Sequence, residues 1–155
     1  MTDAAADLAR RTADAMWKRD TASQGLGMVI EEVRPGYARL RMAVRADMLN
    51  GHETCHGGYV FTLADSAFAF ACNSHNRATV AAGAAIEFLA PGRAHDVLTA
   101  EAQEQALGGR LGVYDVTVRN QHGARVALFR GRSYALNLPV IHDNPPPNAE
   151  AGGGA

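Results

Sequence analysis

The stretch that could do chemistry is His56-Gly57-Gly58 followed by an apolar run that carries one acid, Asp65. Glycines at the start of a helix leave backbone N–H groups uncovered. The first four such donors have no partner inside the helix, and together with the helix dipole they favour negative charge developing in front of them. Asp65 is the only formally charged residue between Glu53 and Arg77, in a segment otherwise suited to burial. An uncovered donor and a desolvated carboxylate are the two parts that acyl transfer needs.

Spacing constrains how they combine. Gly57 and Asp65 are eight residues apart, which on a helix is about 12 Å at about 1.5 Å per residue. One helix cannot bring both to one carbonyl. Cooperation on a single acyl group therefore requires the donor from one subunit and the carboxylate from another, with two such helices antiparallel about a two-fold axis. The expectation is an obligate homodimer with two equivalent composite sites.

Other chemistries in the same stretch are weaker. His52-Glu53-Thr54-Cys55-His56 spells H-E-x-x-H, which on a helix would place two histidines on one face for zinc. Asn50-Gly51 before it and Gly57-Gly58 after it deny that helical frame, so no metal site is expected. Cys55 beside His56 suggests a thiol nucleophile only superficially, because neighbours in extended chain point apart, and Cys72, like Cys55, reads as a small core residue. For Asp65 the plain alternative is a carboxylate that only caps backbone in a buried interface. His56 could donate to a substrate carbonyl or simply fix the loop, and Asn50 is equally consistent with an Asn-Gly turn.

Elements must hold these residues in place. Residues 3–19 have helical periodicity, with Leu8, Ala9, Thr12, Ala13 and Met16 on one face. Residues 25–33 and 37–44 change to period two across Pro35-Gly36 and read as a hairpin with one wet face. After a connection over 46–54 the apolar helix runs from about Gly57 to Asn73. Four strands follow: 79–89, nearly all small and apolar and so expected to be fully buried; 97–105; 111–119 after Gly108-Gly109; and 126–136 after Gln121-His122-Gly123. The class is α+β, an antiparallel sheet wrapped on one long helix, with an N-terminal helix outside. Ala64, Ala67, Ala69 and Ala71 would let a sheet approach closely on one side and a second subunit on another. Residues 1–141 form one domain; 142–155, rich in Pro, Asn and Gly, read as a disordered tail.

Composition narrows the class. A net charge of −1, from 15 basic and 16 acidic residues, supplies no basic field for nucleic acid. No run approaches the roughly 20 apolar residues of a membrane span, and two cysteines without a Cys-x-x-Cys pair suit a reducing compartment, so a cytoplasmic location is expected.

The run from Met48-Leu49-Asn50-Gly51-His52 through His56-Gly57-Gly58 to Leu63-Ala64-Asp65-Ser66-Ala67-Phe68 resembles the hotdog-fold acyl-CoA thioesterases, most closely the phenylacetic-acid-degradation (PaaI-type) branch. The resemblance extends over Glu87-Phe88-Leu89-Ala90-Pro91-Gly92, Gly112-Val113-Tyr114-Asp115 and residues 126–131. It implies a curved antiparallel sheet around a central helix, dimers paired into homotetramers, and hydrolysis of an aryl- or arylacetyl-CoA without a cofactor. The family motif makes Asp65 the nucleophile or general base, gives Gly57 the carbonyl-polarising N–H, and sets His56 and Asn50 as supporting polar residues. Gly58, Phe61 and Ser66 are the implied substrate contacts, Ser66 standing where the family has a small hydroxyl residue, with Tyr59 and Phe68 as further candidates for an aromatic slot. By exposure alone, Arg93, Arg110 and Arg77 are candidates for the CoA phosphates. Two other functions stay open on the residues: a hotdog dehydratase or hydratase, and a module that binds acyl-CoA without cleaving it.

Overall fold

The computed structural model describes residues 3–142; the C-terminal tail expected beyond that point lies outside the described residues. Six antiparallel strands form one sheet in the order β1-β2-β4-β5-β6-β3, where β1 is Val29–Arg34, β2 Tyr37–Ala43, β3 Thr79–Phe88, β4 Val97–Gly108, β5 Leu111–Arg119 and β6 Arg125–Ala135. The N-terminal helix α1 spans Asp3–Trp17, and the central helix α3 spans Gly57–Asn73.

Alternation along the strands puts Leu40, Met42, Leu98, Ala100, Val116, Val118 and Phe129 on the concave face, all buried against Leu63, Ala64, Ala67, Phe68 and Ala71 of α3. The alanines are the reason helix and sheet come so close. At Gly131 the approach is closer still: a Cβ there would lie 2.8 Å from the Phe68 ring, so only glycine leaves room for that aromatic. Outside this layer α1 buries Ala9, Thr12 and Ala13 and sets Trp17 against Phe70, ring centroids 6.3 Å apart. No described helix is long and apolar enough to cross a membrane.

Two expectations need correction. A short helix α2, Thr21–Gly25, precedes β1, so the first strand begins at Val29 rather than at residue 25. The signal is local: Asp20 accepts from the Ser23 N–H at 2.9 Å and caps that turn. The second correction is larger. Strand β3 is an edge strand, paired with β6 alone, and most of it is open to solvent despite its apolar sequence. One edge of its backbone has no partner in the chain, and α3 reaches it through Asn73, which bonds Thr79, and through Gly57, which touches Phe88.

Candidate active site

The loop before α3 is held by its own polar groups. Asn50 Oδ1 accepts from the His52 N–H (2.9 Å), the Thr54 N–H (3.2 Å) and the Thr54 hydroxyl (3.2 Å). Those three donors fix the amide orientation and leave Nδ2 as the free end. Glu53 closes this turn with φ of 61°. The backbone then clamps onto neighbours: Cys55 N–H donates to Gly92 O and His56 N–H to Met48 O, both at 2.8 Å.

His56 is the N-cap of α3, its Nδ1 accepting from the Gly58 N–H at 2.9 Å. A ring nitrogen that accepts carries no proton, so the neutral imidazole holds its hydrogen on Nε2, where it can be donated outward. The Gly58 N–H is therefore committed to His56, while the residue itself stays exposed on α3. The Gly57 N–H has no acceptor among the described residues. It opens on a cavity of about 480 Å³ lined by Asn50, Thr54, Gly57, Val60, Phe88 and Val126. A larger cavity of about 780 Å³ between α1 and β1 contains neither Gly57 nor Asp65, and its mixed charges, Asp7, Arg10 and Glu31 among them, do not converge on a reacting atom.

Two turns along α3, Asp65 is half-buried and has no hydrogen-bond or ionic partner among the described residues. Burial alone pushes its carboxyl above the usual carboxylate range. Phe61, one turn earlier on the same helical face, packs edge-on against Phe129 at 5.3 Å between centroids. Gly58, Phe61, Thr62, Asp65 and Ala69 form a stripe of α3 that the rest of the chain leaves partly open. The donor and the carboxylate thus stand on one helix but not in one cavity.

Other expected contacts part company. Ser66 is turned away from this stripe, its hydroxyl 2.8 Å from Ser23 Oγ, which in turn bonds Asp20 Oδ2 at 2.7 Å. That buried chain ties α2 to α3 and engages the Ser66 hydroxyl within this chain. Tyr59 stands edge-on to His56, and Phe68 is core. Arg93 is exposed beside the donor cavity, bridged through its backbone to Thr54. Arg110 sits at the other end of α3, over the Tyr134 ring and near Cys72 and Arg77. The 17-residue helix between them is about 25 Å long, so in one chain the two arginines cannot share a phosphate.

The remaining polar residues of the motif stay structural. His52 and Glu53 lie in a turn, not on a helix, and no group of three or more His, Cys, Asp or Glu side chains among the described residues is placed to hold a metal ion. Burial raises both thiols, Cys72 to about 12, which keeps them protonated. The residue missed by sequence reasoning is Phe88, a large aromatic ending a run of small residues, whose ring stands directly over Gly57.

Residues 52–127 match the thioesterase superfamily. The chain is 48% identical over 126 residues to the acyl-coenzyme A thioesterase PaaI of Escherichia coli, covering 81% of this chain and 90% of that one. It is 36% identical over 130 residues to a putative esterase of Archaeoglobus fulgidus, covering 84% of each. Among solved structures, the E. coli PaaI protein of the phenylacetic acid degradation operon superposes with a TM-score of 0.85 at 46% identity, over 86% of this chain and 97% of that one. A free helix N-terminal donor, an unpaired carboxylate two turns on and a six-stranded sheet around the helix that carries both agree with these likenesses: the chain belongs to the thioesterase superfamily and is a thioester hydrolase of the hotdog fold.

Proposed function

We propose that the chain hydrolyses aryl- and arylacetyl-CoA thioesters, RCO–S–CoA plus water giving RCOOH and free CoA, at two equivalent sites shared between two copies, and that such dimers pair into tetramers. The observation that carries this reading is the separation along α3 of a Gly57 N–H without an acceptor and an Asp65 carboxylate without a partner. Two such helices side by side and antiparallel set each donor opposite the other copy's acid. The surfaces that would meet are those the chain leaves bare: the partly open stripe of α3, and the edge of β3 with Val80 and Phe88, followed by Leu89, each about half exposed. An unpaired apolar edge is ready to pair with a second chain. Likeness to PaaI, whose solved structure is described as part of a phenylacetic acid degradation operon, and the aromatic residues Phe61, Phe129 and Phe88 near the two half-sites support an aryl acyl group.

In this scheme the thioester carbonyl accepts from the Gly57 N–H and from His56 Nε2–H while negative charge builds on its oxygen. The carboxylate of Asp65 from the second copy either attacks the carbonyl carbon, forming an anhydride that water then opens, or removes a proton from the attacking water. CoA leaves as the thiolate. Single-turnover hydrolysis in heavy-oxygen water identifies the first route when label enters the Asp65 carboxylate, since only water opening an anhydride at that group puts it there. Arg93, at the rim of the donor cavity, is placed to meet a phosphate of CoA, and Arg110 could do so only at a site built by another copy.

A thiol-release screen over aryl-, arylacetyl- and straight-chain acyl-CoAs tests the assignment, with the highest kcat/KM expected for arylacetyl thioesters. Release confined to aliphatic substrates would overturn the acyl preference, and hydration of an enoyl-CoA without thiol release would overturn the reaction. Asn50 offers a separable test. In Asn50→Ala three donors lose their acceptor, costing about 1–3 kcal/mol in unfolding free energy. Asn50→Asp keeps the acceptor and should stay near wild-type stability, yet should lose activity as well, because it loses Nδ2, the unengaged end of an amide whose residue lines the donor cavity; urea denaturation and kcat/KM of both variants check this.

A further inference from the structure

Phe88 is the last residue of β3 and faces the helix side of the sheet, paired with Ala127. On that side Phe68 and Phe129 are 1–2% exposed, whereas Phe88 is 55% exposed. Its ring nonetheless has a fixed neighbour: a Cβ placed on Gly57 would lie 2.9 Å from Phe88 Cζ and 3.2 Å from Cε1. The tip of the ring therefore stands against Gly57 and fills the space a side chain there would need. It also lines the same cavity as Asn50, Val60 and Val126. Within one chain the ring buries little apolar surface, and in the shared site proposed above it stands where the donor half-site faces the second copy.

Resting on the thioesterase reading above, we infer that Phe88 is the specificity-determining wall of the acyl site: a planar apolar surface beside the Gly57 donor against which the acyl group must lie. Any carbonyl that reaches the Gly57 N–H brings its substituent alongside this ring. A flat aryl group gains an offset or edge-on ring contact there, while a branched aliphatic group of similar volume gains only apolar contact. The position of the wall is set by β3 and not by α3, so acyl preference can change without disturbing Gly57 or Asp65. It further accounts for glycine at 57 on a second ground besides the free donor, since any side chain there would push the ring aside.

The test compares Phe88→Leu and Phe88→Met, which keep apolar bulk but lose the plane, with Phe88→Tyr, which keeps the plane. For each variant kcat/KM is measured by thiol release with phenylacetyl-CoA and isobutyryl-CoA, and thermal unfolding confirms the fold. The ratio of the two values should fall about tenfold in Phe88→Leu and Phe88→Met, as expected for one lost ring–ring contact, and stay within about twofold of wild type in Phe88→Tyr. An unchanged ratio in the Leu and Met variants, or an equal loss on both substrates, would overturn the role of Phe88 while leaving the thioesterase reading intact. Wild-type protein that releases thiol from no thioester would overturn that reading and the wall with it.

Discussion

Asp65→Asn is expected to lower kcat by about 100- to 10,000-fold, the range spanned when a positioned proton-transfer group is removed, with little change in the amount of folded protein. Asp65→Ala should do the same. The carboxylate makes no hydrogen bond or ion pair within the described chain, so neither change breaks a contact that holds α3 in place. The asparagine variant adds a sign that a structural role would not predict. Burial raises the folded-state pKa of Asp65 above its value in the unfolded chain. For an acid shifted in that direction, folding favours the protonated form: its contribution to stability is fully present below the ordinary carboxylate pKa and is lost as pH rises through the raised one. At neutral pH the wild type therefore carries an ionised, partly desolvated group that Asp65→Asn lacks. The variant should unfold at the same or a higher temperature than wild type near pH 7, and the difference should shrink on acidification. The same shift sets the acid limb of the rate: activity should fall, as pH is lowered, at a higher pH than an ordinary carboxylate titrates, and a limb centred at or below about pH 4 would show that burial does not raise the ionising carboxyl. Near-wild-type hydrolysis by both variants would remove Asp65 from the reaction altogether.

What was legible in the sequence follows from range. The start of α3, its length and its isolated acid are local features, carried by Gly57-Gly58, the apolar period and the absence of other charge, and the structure places α3 at Gly57–Asn73 as expected. The turn at Asn50 was also legible, because an Asn-Gly pair folds on its own side chain. The partner of Ser66 was not legible, because sequence does not say which way a helical side chain points; Ser23, which bonds it, belongs to a five-residue helix whose only signal is the cap at Asp20. The engagement of the Gly58 N–H by His56 Nδ1 was hidden for a related reason, since it is visible only in three dimensions. The small apolar residues of β3 read as core because composition reports that a surface avoids water, not which chain covers it. For the same reason Phe88 went unassigned: nothing between residues 57 and 88 announces that they touch.

Removing the Gly57 donor gives the second large effect and bears on where the site is assembled. Proline at the first position of a helix is tolerated, since that N–H has no partner inside the helix. The preceding residue His56, with φ −57° and ψ 133°, already has the extended conformation that a following proline demands. Gly57→Pro should therefore fold, and lose about 100- to 1,000-fold in kcat, the cost of one oxyanion donor. Both Pro and Ala place a Cβ against the exposed Phe88 ring, so Gly57→Ala supplies the control, with the same displacement of the ring but the N–H retained. The excess loss of the proline variant over the alanine variant measures the donor itself. Mixing then decides between one-chain and two-chain sites. A dimer of one Asp65→Ala subunit and one Gly57→Pro subunit contains one site with both defects and one with neither, because the intact donor of the first faces the intact acid of the second. With random exchange about half the dimers are mixed and half of their sites are whole, so activity should recover to about a quarter of wild type, from parents that are each nearly inactive. Were donor and carboxylate to meet within one chain, every site in the mixture would keep one defect and no recovery would occur. The roughly 12 Å that α3 interposes between Gly57 and Asp65 is what makes recovery the expected result.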